Sequence, residues 1–419
     1  MVSLEESIKK YALSYKAKED LTPVIEAIGG AKIVLLGEAS HGTSEFYTVR
    51  AELSKRLIEE KGFTLIGVEG DWPSTQHINR FIKGYTDEQT KVGDMLKAFK
   101  RWPTWMWANE EIAEFVTWLK IHNDQKEMNE KVGFYGIDVY SLWESLDEVI
   151  SYLSNTNPNG ADLALAKKAF SCFEPFNRHP ETYGVSSLNI SEACVDEVSK
   201  LLTSIRTHKD NYKDTKEGDL NLKINAIVAS NAEEYYRAMV RSDELSWNIR
   251  DKHMVEAVNE ILDYHGKKAK IIIWEHNTHI GDASATDMAA SGMVNVGQIL
   301  RSQNRTEDVF AVGFGTYKGT VIAANEWGLP YKQINVPPAQ KGSWEDELHK
   351  SGVFDKLLIF NEGNRSLFNN RIGHRAIGVV YNPDFEAYGN YVPSKMSNRY
   401  DAFIYIDQTK ALTPLGTDT

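Results

Sequence analysis

The sequence predicts an α/β fold: a three-layer α/β/α core with a mainly parallel or mixed sheet, plus a helical insertion that covers the active-site edge. Three observations lead to this prediction. Short apolar runs of strand length recur along the 419 residues, helical patterns separate the first of these runs, and long helical segments lie between later ones. The runs are continuous rather than alternating, which is typical of strands buried on both faces. Strands that alternate with helices indicate a parallel sheet with helices on both sides.

The predicted elements follow in chain order. After the first strand, apolar residues recur at helical spacing from Phe46 to Leu57, and Gly62 then predicts the C-terminal stop of that helix. After the second strand, Pro73 fits the first turn of another helix. The predicted strands are residues 31–37, 63–70, 131–138, 269–276, 308–314, 374–381 and 401–407.

Two long segments without strand patterns predict the helical insertion, and the domain organisation follows from them. One glycine-rich segment within the core, VGFGTYKGTVIAA, resembles a dinucleotide-binding loop, but an apolar strand-like run follows it instead of a helix. We therefore predict a β-hairpin around residues 317–319. The predicted domains are an N-terminal helix over 1–24, an α/β catalytic core over 25–84, 129–142 and 265–410, and a helical cover over 85–128 and 143–264.

Composition excludes several classes of function. A net charge of −12 repels phosphate backbones, which argues against a nucleic-acid partner. The charged N-terminal segment lacks the apolar core of a secretory signal, and no stretch of about 18 apolar residues predicts a membrane span. We therefore expect a cytoplasmic protein without a membrane partner. Cys172 and Cys194 match no metal-ligand spacing, and we expect two reduced thiols, with a disulfide as the alternative.

Titratable residues follow four of the predicted strands. In open parallel sheets, ligands bind beyond the carboxyl ends of the strands, so these residues are predicted to meet at one edge. Any single one has a structural explanation, such as a cap formed by Asp71 before Pro73, but four sets in one chain favour a shared active site. The four sets are Glu38 with His41, Glu69 with Asp71, Asp138 alone, and Glu275 with His276, His279 and Asp282.

Two arginines border apolar helix faces. Arg50 lies beside the inner stripe of the first long helix, so its guanidinium must either reach solvent or pair with Glu38 or Glu69. Arg250 and Asp251 share a helix face with apolar residues, and we interpret them as an internal pair with a structural role, with a contact with substrate as the alternative.

Water is the predicted nucleophile. The chain has no G-x-S-x-G elbow, and Ser40 points away from His41 if the segment is extended. A histidine can deprotonate water near neutral pH, a neighbouring carboxylate such as Glu38 can orient it, and a second histidine can polarise a carbonyl or protonate a leaving alkoxide. The alternative is a divalent metal, since two histidines with carboxylates suit Zn, Mn or Fe. However, His276 and His279 lack the helical H-E-x-x-H spacing.

Several long segments resemble the erythromycin esterase family: LLGEASHGTSEFYTVRAELSKRLIEEKGFTLIGVEGDWP, WPTWMWANEEIAEFVTWLK, GFYGIDVYSLWESL, WNIRDKHMVEAV and WEHNTHIGDAS. The resemblance spans residues 25 to 410. It implies an α/β core with a helical insertion and hydrolysis of a macrolide lactone by histidine-activated water, without an evident metal. More distant relatives with similar strand-end motifs bind haem or act as metal-dependent peptidases, which leaves the metal alternative open.

The resemblance also implies roles for individual residues. Glu38 and His41 match the family's G-E-x-x-H segment, with His41 as the general base. Arg50 matches the arginine of the next helix, and Glu69 the glutamate that ends the second strand. The W-x-H-N-x-H segment supplies the two remaining catalytic candidates, His276 and His279. Glu275 departs from the family pattern, in which a small residue is expected at this position. Either its negative charge raises the pKa of His276, or its side chain faces solvent.

We therefore predict a carboxylic ester hydrolase with a small-molecule ester or lactone as its partner and no cofactor. The alternatives are a metal-dependent, peptidase-like hydrolase that uses the same residues as ligands, and a non-enzymatic binder. The oligomeric state is not predicted. The predicted substrate-binding residues are Asp71, Asp138, Tyr140, Trp105 and Trp107. For the aromatic residues among them, the alternative is ordinary packing between helices.

Overall fold

The computed structural model describes residues 3–86, 89–97, 99–188, 193–214 and 216–416. It confirms the mixed α/β fold. The strands are β1 (Leu13–Ser14), β2 (Ile33–Leu36), β3 (Leu65–Asp71), β4 (Gly133–Asp138), β5 (Ile271–Trp274), β6 (Val309–Ala323), β7 (Lys332–Val336), β8 (Lys356–Ile359), β9 (Arg371–Arg375), β10 (Tyr391–Lys395) and β11 (Ala402–Thr409).

The α-helices vary widely in length, and the longest follow β4 in the chain. They are α1 (Leu4–Tyr11), α2 (Thr22–Ile28), α3 (Ser44–Lys61), α4 (Trp72–Lys83), α5 (Val92–Leu96), α6 (Glu110–Asp124), α7 (Leu142–Thr156), α8 (Ala161–Phe173), α9 (Pro180–Ser186), α10 (Val195–Thr207), α11 (Gly218–Met239), α12 (Asp243–His265), α13 (Asn277–Ile280), α14 (Val296–Gln303), α15 (Trp344–Lys350), α16 (Glu386–Gly389) and α17 (Met396–Arg399).

The chain divides into two compact units, and each is described by itself. Unit 1 comprises residues 1–66, 78–133 and 269–419, and unit 2 comprises residues 67–77 and 134–268. The predicted boundaries of an N-terminal helix, a core and a cover remain a prediction. Every helix in the described residues is too short or too polar to cross a bilayer.

Unit 1 is built on a mixed sheet. Its strands lie in the order β1-β8-β11-β6-β2-β5. The pairs β2–β5, β2–β6 and β6–β11 are parallel, whereas β8 pairs antiparallel with both β1 and β11. All four residues of β2 are buried, as expected for a central strand whose continuous apolar run packs on both faces. Because β2 and β5 are parallel neighbours, the residues that follow them lie at the same edge of this sheet.

The predicted local signals around the first two helices are confirmed. α3 ends at Lys61, and Gly62 follows with φ 71° in the left-handed region that a glycine tolerates without strain. Pro73 is the second residue of α4, where its missing N–H costs no helical hydrogen bond.

The predicted hairpin around residues 317–319 is wrong. β6 runs through this region without a turn, pairing in parallel with β11 up to Gly319 and then antiparallel with β7 from Gly319 to Ala323. A Cβ at Gly319 would lie 2.2 Å from the carbonyl oxygen of Thr409. This glycine therefore permits close strand contact, not chain reversal.

The prediction of a strand over residues 374–381 is also wrong for most of its length. β9 covers Arg371–Arg375 and pairs antiparallel with β10 in a separate two-stranded sheet. The apolar residues beyond it make isolated bridges, from Ile377 to Ser40 and from Val380 to Ala324. An apolar run thus marks burial here without a regular ladder. The sequence did not predict β7, which has only two apolar residues, or β8, whose apolar run of three residues is short.

Unit 2 consists of the neighbouring strands β3 and β4 and the helices from α7 to α12. The expectation of two reduced thiols is wrong, because Cys172 and Cys194 form a disulfide with Cα atoms 5.9 Å apart. Cys172 lies near the end of α8, and Cys194 is the N-cap of α10, which packs against α8. Helix packing brings together two cysteines whose spacing in the sequence gives no such signal.

Candidate active site

The loop between β2 and α3 carries Glu38 and His41 in unit 1. Two glycines of this loop are required by close packing: a Cβ at Gly37 would lie 2.1 Å from Oδ1 of Asn277, and one at Gly42 would lie 1.9 Å from the carbonyl oxygen of Ile322. The loop is therefore held between the segment after β5 and the end of β6. Its Ser40 hydroxyl bonds to the hydroxyl of Thr43, and Ser40 is buried.

Glu38 links an imidazole to a guanidinium. Its Oε1 lies 2.9 Å from Nδ1 of His41, and its Oε2 accepts a hydrogen bond of 2.6 Å from Nη2 of Arg50. An ionised carboxylate only accepts hydrogen bonds, so Nδ1 of His41 carries the proton and Nε2 holds the lone pair in the neutral ring. This tautomer is the one that a general base requires.

Arg50 is buried rather than exposed at its tip. Only 1% of the residue is accessible, and its guanidinium carbon lies 4.6 Å from the ring centroids of both Tyr47 and Trp274. Its Nε also donates to the carbonyl of Phe46 in the preceding turn. A planar cation held by two aromatic faces and one carboxylate has a fixed orientation, so it fixes the carboxylate of Glu38 in turn.

His276 lies two residues after the end of β5 and faces His41. The two ring centroids are 4.9 Å apart, with an angle of 43° between the ring planes. His276 is the N-cap of α13, and its Nδ1 accepts from the backbone N–H of Thr278 at 3.3 Å and lies 2.8 Å from the Thr278 hydroxyl. With Nδ1 as acceptor, the neutral ring carries its proton on Nε2.

His279 and Glu275 flank this histidine in the chain. His279 lies within α13 and is buried, and its backbone N–H donates to the carbonyl of His276. Glu275 is completely buried, so the alternative in which its side chain faces solvent is wrong.

Unit 2 holds a second ionic cluster. Arg250 of α12 donates from Nε and Nη2 to the two carboxylate oxygens of Asp138, at 2.9 and 2.6 Å, and from Nη2 to Oε1 of Glu69 at 2.7 Å. Its guanidinium carbon also lies 4.9 Å from the ring centroid of Tyr140. Burial opposes the charged form of Arg250, but Asp138, Tyr140 and Glu69 together raise its pKa well above the ordinary value.

A second residue of α12, His253, contacts the backbone of Asp138. Nδ1 of His253 accepts from the side-chain amide of Asn231, so Nε2 donates to the carbonyl of Asp138 at 3.2 Å. Burial lowers the pKa of His253, consistent with this neutral, doubly bonded ring. Burial also raises the pKa of Tyr140.

Asp71 ends β3 with intermediate exposure, and its carbonyl accepts from the hydroxyl of Thr75.

Sequence reasoning missed two partners of Arg250, the carboxylates of Glu69 and Asp138. Its apolar helix face indicated a buried partner, but we paired it with Asp251, although adjacent residues on a helix diverge. The ion pairs that join α12 to the ends of β3 and β4 are those with Glu69 and Asp138.

The aromatic candidates belong to unit 1. Trp107 is buried, with its ring centroid 6.3 Å from that of Tyr47, one of the two rings that hold Arg50. Trp105 lines a cavity of about 270 Å³ together with Phe99, Lys100 and Tyr331. Among the candidates, unit 1 therefore contains Glu38, His41, Arg50, Trp105, Trp107, His276 and His279, and unit 2 contains Glu69, Asp71, Asp138 and Tyr140.

The sequence matches one family model and several known proteins. A family model described as Erythromycin esterase matches residues 58–409. The YbfO protein of Bacillus subtilis (strain 168) is 22% identical over 414 residues, which cover 94% of this chain and 87% of that protein. Erythromycin esterase type II of Escherichia coli is 23% identical over 370 residues, which cover 82% of this chain and 84% of that protein.

Solved structures share the fold at lower identity. The crystal structure of a succinoglycan biosynthesis protein matches with a TM-score of 0.77 and 21% identity, covering 98% of this chain and 97% of that one. A mutant of the erythromycin esterase EreC in its open conformation matches with a TM-score of 0.65 and 14% identity, covering 94% and 95%.

Proposed function

The chain belongs to the erythromycin esterase family of hydrolases, and from this premise we propose that it hydrolyses carboxylic esters or lactones with a water molecule that His41 activates. The observation that carries the proposal is the pair of different hydrogen-bond partners at Nδ1 of two neighbouring histidines, from which we assign complementary tautomers. Glu38 leaves Nε2 of His41 as a proton acceptor, and Thr278 leaves Nε2 of His276 as a proton donor. An acceptor and a donor beside each other are the groups that ester hydrolysis by water needs.

The reaction follows from these roles. Nε2 of His41 removes a proton from water while the oxygen attacks the carbonyl carbon, and the resulting imidazolium is stabilised by Glu38. Nε2–H of His276 donates a hydrogen bond to the oxyanion or a proton to the leaving alkoxide. If His276 only stabilises the oxyanion, His41 gives its proton to the leaving alkoxide; if His276 has protonated the alkoxide, the proton of His41 passes to Nε2 of His276. Either route restores the starting charges, and the net change is the addition of one water across the ester.

Arg50 supports the reaction without contacting the substrate in this scheme. Its Nη2 donates to Oε2 of Glu38 at 2.6 Å, so the carboxylate keeps its orientation as His41 becomes charged. Roles for Glu69, Asp71, Asp138 and Tyr140, for His279, and for the two tryptophans in binding the substrate remain predictions.

The metal-dependent alternative would use Glu38 and His41 as ligands. Both carboxylate oxygens of Glu38 are already bonded, one to His41 and one to Arg50, and a cation would have to compete with a buried guanidinium for the same charge. This donor set favours the metal-independent mechanism.

Macrolides are the first substrates to test, because a relative is named an erythromycin esterase. The protein is incubated with a panel of macrolides and simple carboxylic esters, and the products are analysed by mass spectrometry. We expect at least one compound to gain one water in the presence of wild-type protein and not with His41→Ala. Tight binding of a panel member without turnover of any would instead favour the non-enzymatic binder.

A further inference from the structure

We propose that Glu345 and His374, remote in sequence from the candidate catalytic residues, are positioning residues that hold Glu38 and His276 through Asn277. The inference rests on the proposed function, because it concerns the geometry of the same histidine pair. It also gives a role to the glycine-rich segment of β6, which a dinucleotide-binding loop does not explain.

The network begins with a fully buried carboxylate–imidazole pair. Oε1 of Glu345, in the first turn of α15, lies 2.5 Å from Nδ1 of His374 in β9, and both residues have no accessible surface. The carboxylate accepts the Nδ1 proton, so Nε2 of His374 must act as an acceptor. At 3.2 Å from this nitrogen lies the side-chain amide nitrogen of Asn277, which donates to it.

Asn277 connects this pair to the candidate active site. Its side-chain amide also donates to the carbonyl of Phe314 at 2.7 Å, and its Oδ1 accepts from the Phe314 N–H at 3.2 Å. Its backbone N–H donates to the carbonyl of Glu38 at 2.9 Å. Asn277 directly follows His276, so one residue fixes the backbone of both the orienting carboxylate and the proposed acid.

Three glycines provide the space for this network. A Cβ at Gly37 would lie 2.1 Å from Oδ1 of Asn277, one at Gly313 would lie 2.7 Å from the ring of Tyr400, and one at Gly315 would lie 3.3 Å from Oε1 of Glu345. The ring of Tyr400 packs edge-on against that of His374. Gly313 and Gly315 of β6 therefore leave room for Glu345 and for the rings of Tyr400 and Phe403 beside the network.

The position of one proton determines whether the network holds. If the proton of His374 moved to Nε2, this group and the amide of Asn277 would be two donors facing each other. Asn277 would then have to rotate away, and its bonds to Phe314 could not all be kept. Glu345 prevents this by accepting the proton of Nδ1, so its influence reaches Glu38 through two side-chain hydrogen bonds, residue Asn277 itself and the backbone bond of Asn277 to Glu38.

The test compares two histidine variants of unit 1. His349 also bonds to a carboxylate, with Nδ1 2.7 Å from Oδ1 of Asp407, and it lies on the same helix as Glu345, so His349→Gln is the matched control for His374→Gln. We expect His374→Gln to lower kcat by about 10- to 100-fold with KM little changed, as for other residues that orient a catalytic group. His349→Gln should stay within about 2-fold, and Glu345→Gln, whose amide oxygen still accepts, should retain more activity than Glu345→Leu.

A second measurement does not depend on turnover. Long-range ¹H–¹⁵N NMR spectra of the imidazoles identify the protonated nitrogen of each ring. We expect His374 to be protonated on Nδ1 in the wild type, and His41 to lose its uniform Nδ1–H form in His374→Gln. Protonation of His374 on Nε2, or an unchanged His41 spectrum in a folded His374→Gln protein, would overturn the inference. If no ester is hydrolysed, the proposed function fails while the spectra still decide this one.

Discussion

His41 and His276 face each other with ring centroids 4.9 Å apart, although 235 positions separate them in the chain. Nε2 of His41 accepts a proton and Nε2 of His276 donates one, because their Nδ1 atoms have different partners. Nδ1 of His41 is bonded to the carboxylate of Glu38, and Nδ1 of His276 to a backbone N–H. Two histidines of the same intrinsic chemistry are thereby assigned as base and acid by their neighbours.

The first prediction concerns these two rings. His41→Ala and His276→Ala should each lower kcat/KM by at least about 10²-fold, the lower range for loss of a general acid or base. His179 is exposed in unit 2, and His179→Ala serves as the control that should keep wild-type rates. Steady-state kinetics on the substrate found in the panel measure the effect, and wild-type activity of His41→Ala would contradict the mechanism.

The second prediction concerns the buried ion pair. Arg50→Ala removes the cationic partner of the buried carboxylate of Glu38, which keeps only its bond to His41, and this loss should lower the free energy of unfolding by about 3–5 kcal/mol. Arg56→Ala, on the same helix, breaks a pair with the half-exposed Glu60 and should cost no more than about 1 kcal/mol. Denaturant unfolding followed by circular dichroism measures both, and equal losses would mean that burial does not strengthen the inner pair.

Arg50→Lys distinguishes charge from shape. An ammonium keeps the positive charge but cannot stack between Tyr47 and Trp274 as a planar group. We expect Arg50→Lys to recover part of the lost stability and little of the activity, because Glu38 is no longer held in one orientation. Full activity in Arg50→Lys would show that charge alone suffices.

The third prediction concerns the loop that carries His41. Gly42→Ala places a methyl group 1.9 Å from the carbonyl oxygen of Ile322, so the loop must shift. We expect a loss of at least about 1–3 kcal/mol in the free energy of unfolding, together with a fall in activity. Gly30→Ala is the control, since a Cβ there has no atom within 4 Å; thermal melts of the two variants should differ clearly.

The fourth prediction concerns pH. Burial lowers the pKa of His374 in the folded protein, despite the opposing effect of Glu345. The unfolded chain therefore binds a proton near the ordinary histidine pKa of about 6.5, while the folded chain does not until lower pH. Stability should consequently fall as pH drops from about 7 towards the lowered pKa of His374.

The pH dependence is measured by denaturant unfolding at several pH values in wild type and in His374→Gln. Because burial also lowers the pKa of His253, the wild-type slope has more than one source. The informative quantity is the difference between the two proteins: His374→Gln should lose less stability between pH 7 and 5. Identical slopes would mean that His374 does not remain neutral.

The fifth prediction separates the two hydrolytic mechanisms. If His41 activates water without a metal, exhaustive dialysis against a chelator should leave kcat unchanged. Elemental analysis of the dialysed protein is the necessary control, since a tightly held ion resists removal. A loss of activity that added Zn²⁺ or Mn²⁺ restores would support the metal-dependent alternative instead.

Local signals determined much of the fold before any contact was known. The apolar run that ends just before Glu38 predicts a buried strand, and Gly62 predicts the end of α3. Both signals can be read from sequence because strand patterns and glycine conformations depend on neighbours in the chain. The same kind of reasoning placed acids and histidines at strand ends. It failed at Gly319, where the glycine permits contact with β11, since sequence spacing does not tell a turn from a close approach.

Only the tertiary structure decided which partner each polar group takes. Arg50 bonds to Glu38, one of the two carboxylates that the sequence offered, while Arg250 bonds to Asp138 and Glu69 and Cys172 bonds to Cys194, neither of which the sequence favoured. The proton positions on His41 and His276 were decided in the same way. The residue pattern determines which helices and strands form. The pairing of polar groups depends on distances of a few ångströms, and these are set by the packing of elements that lie far apart in the chain.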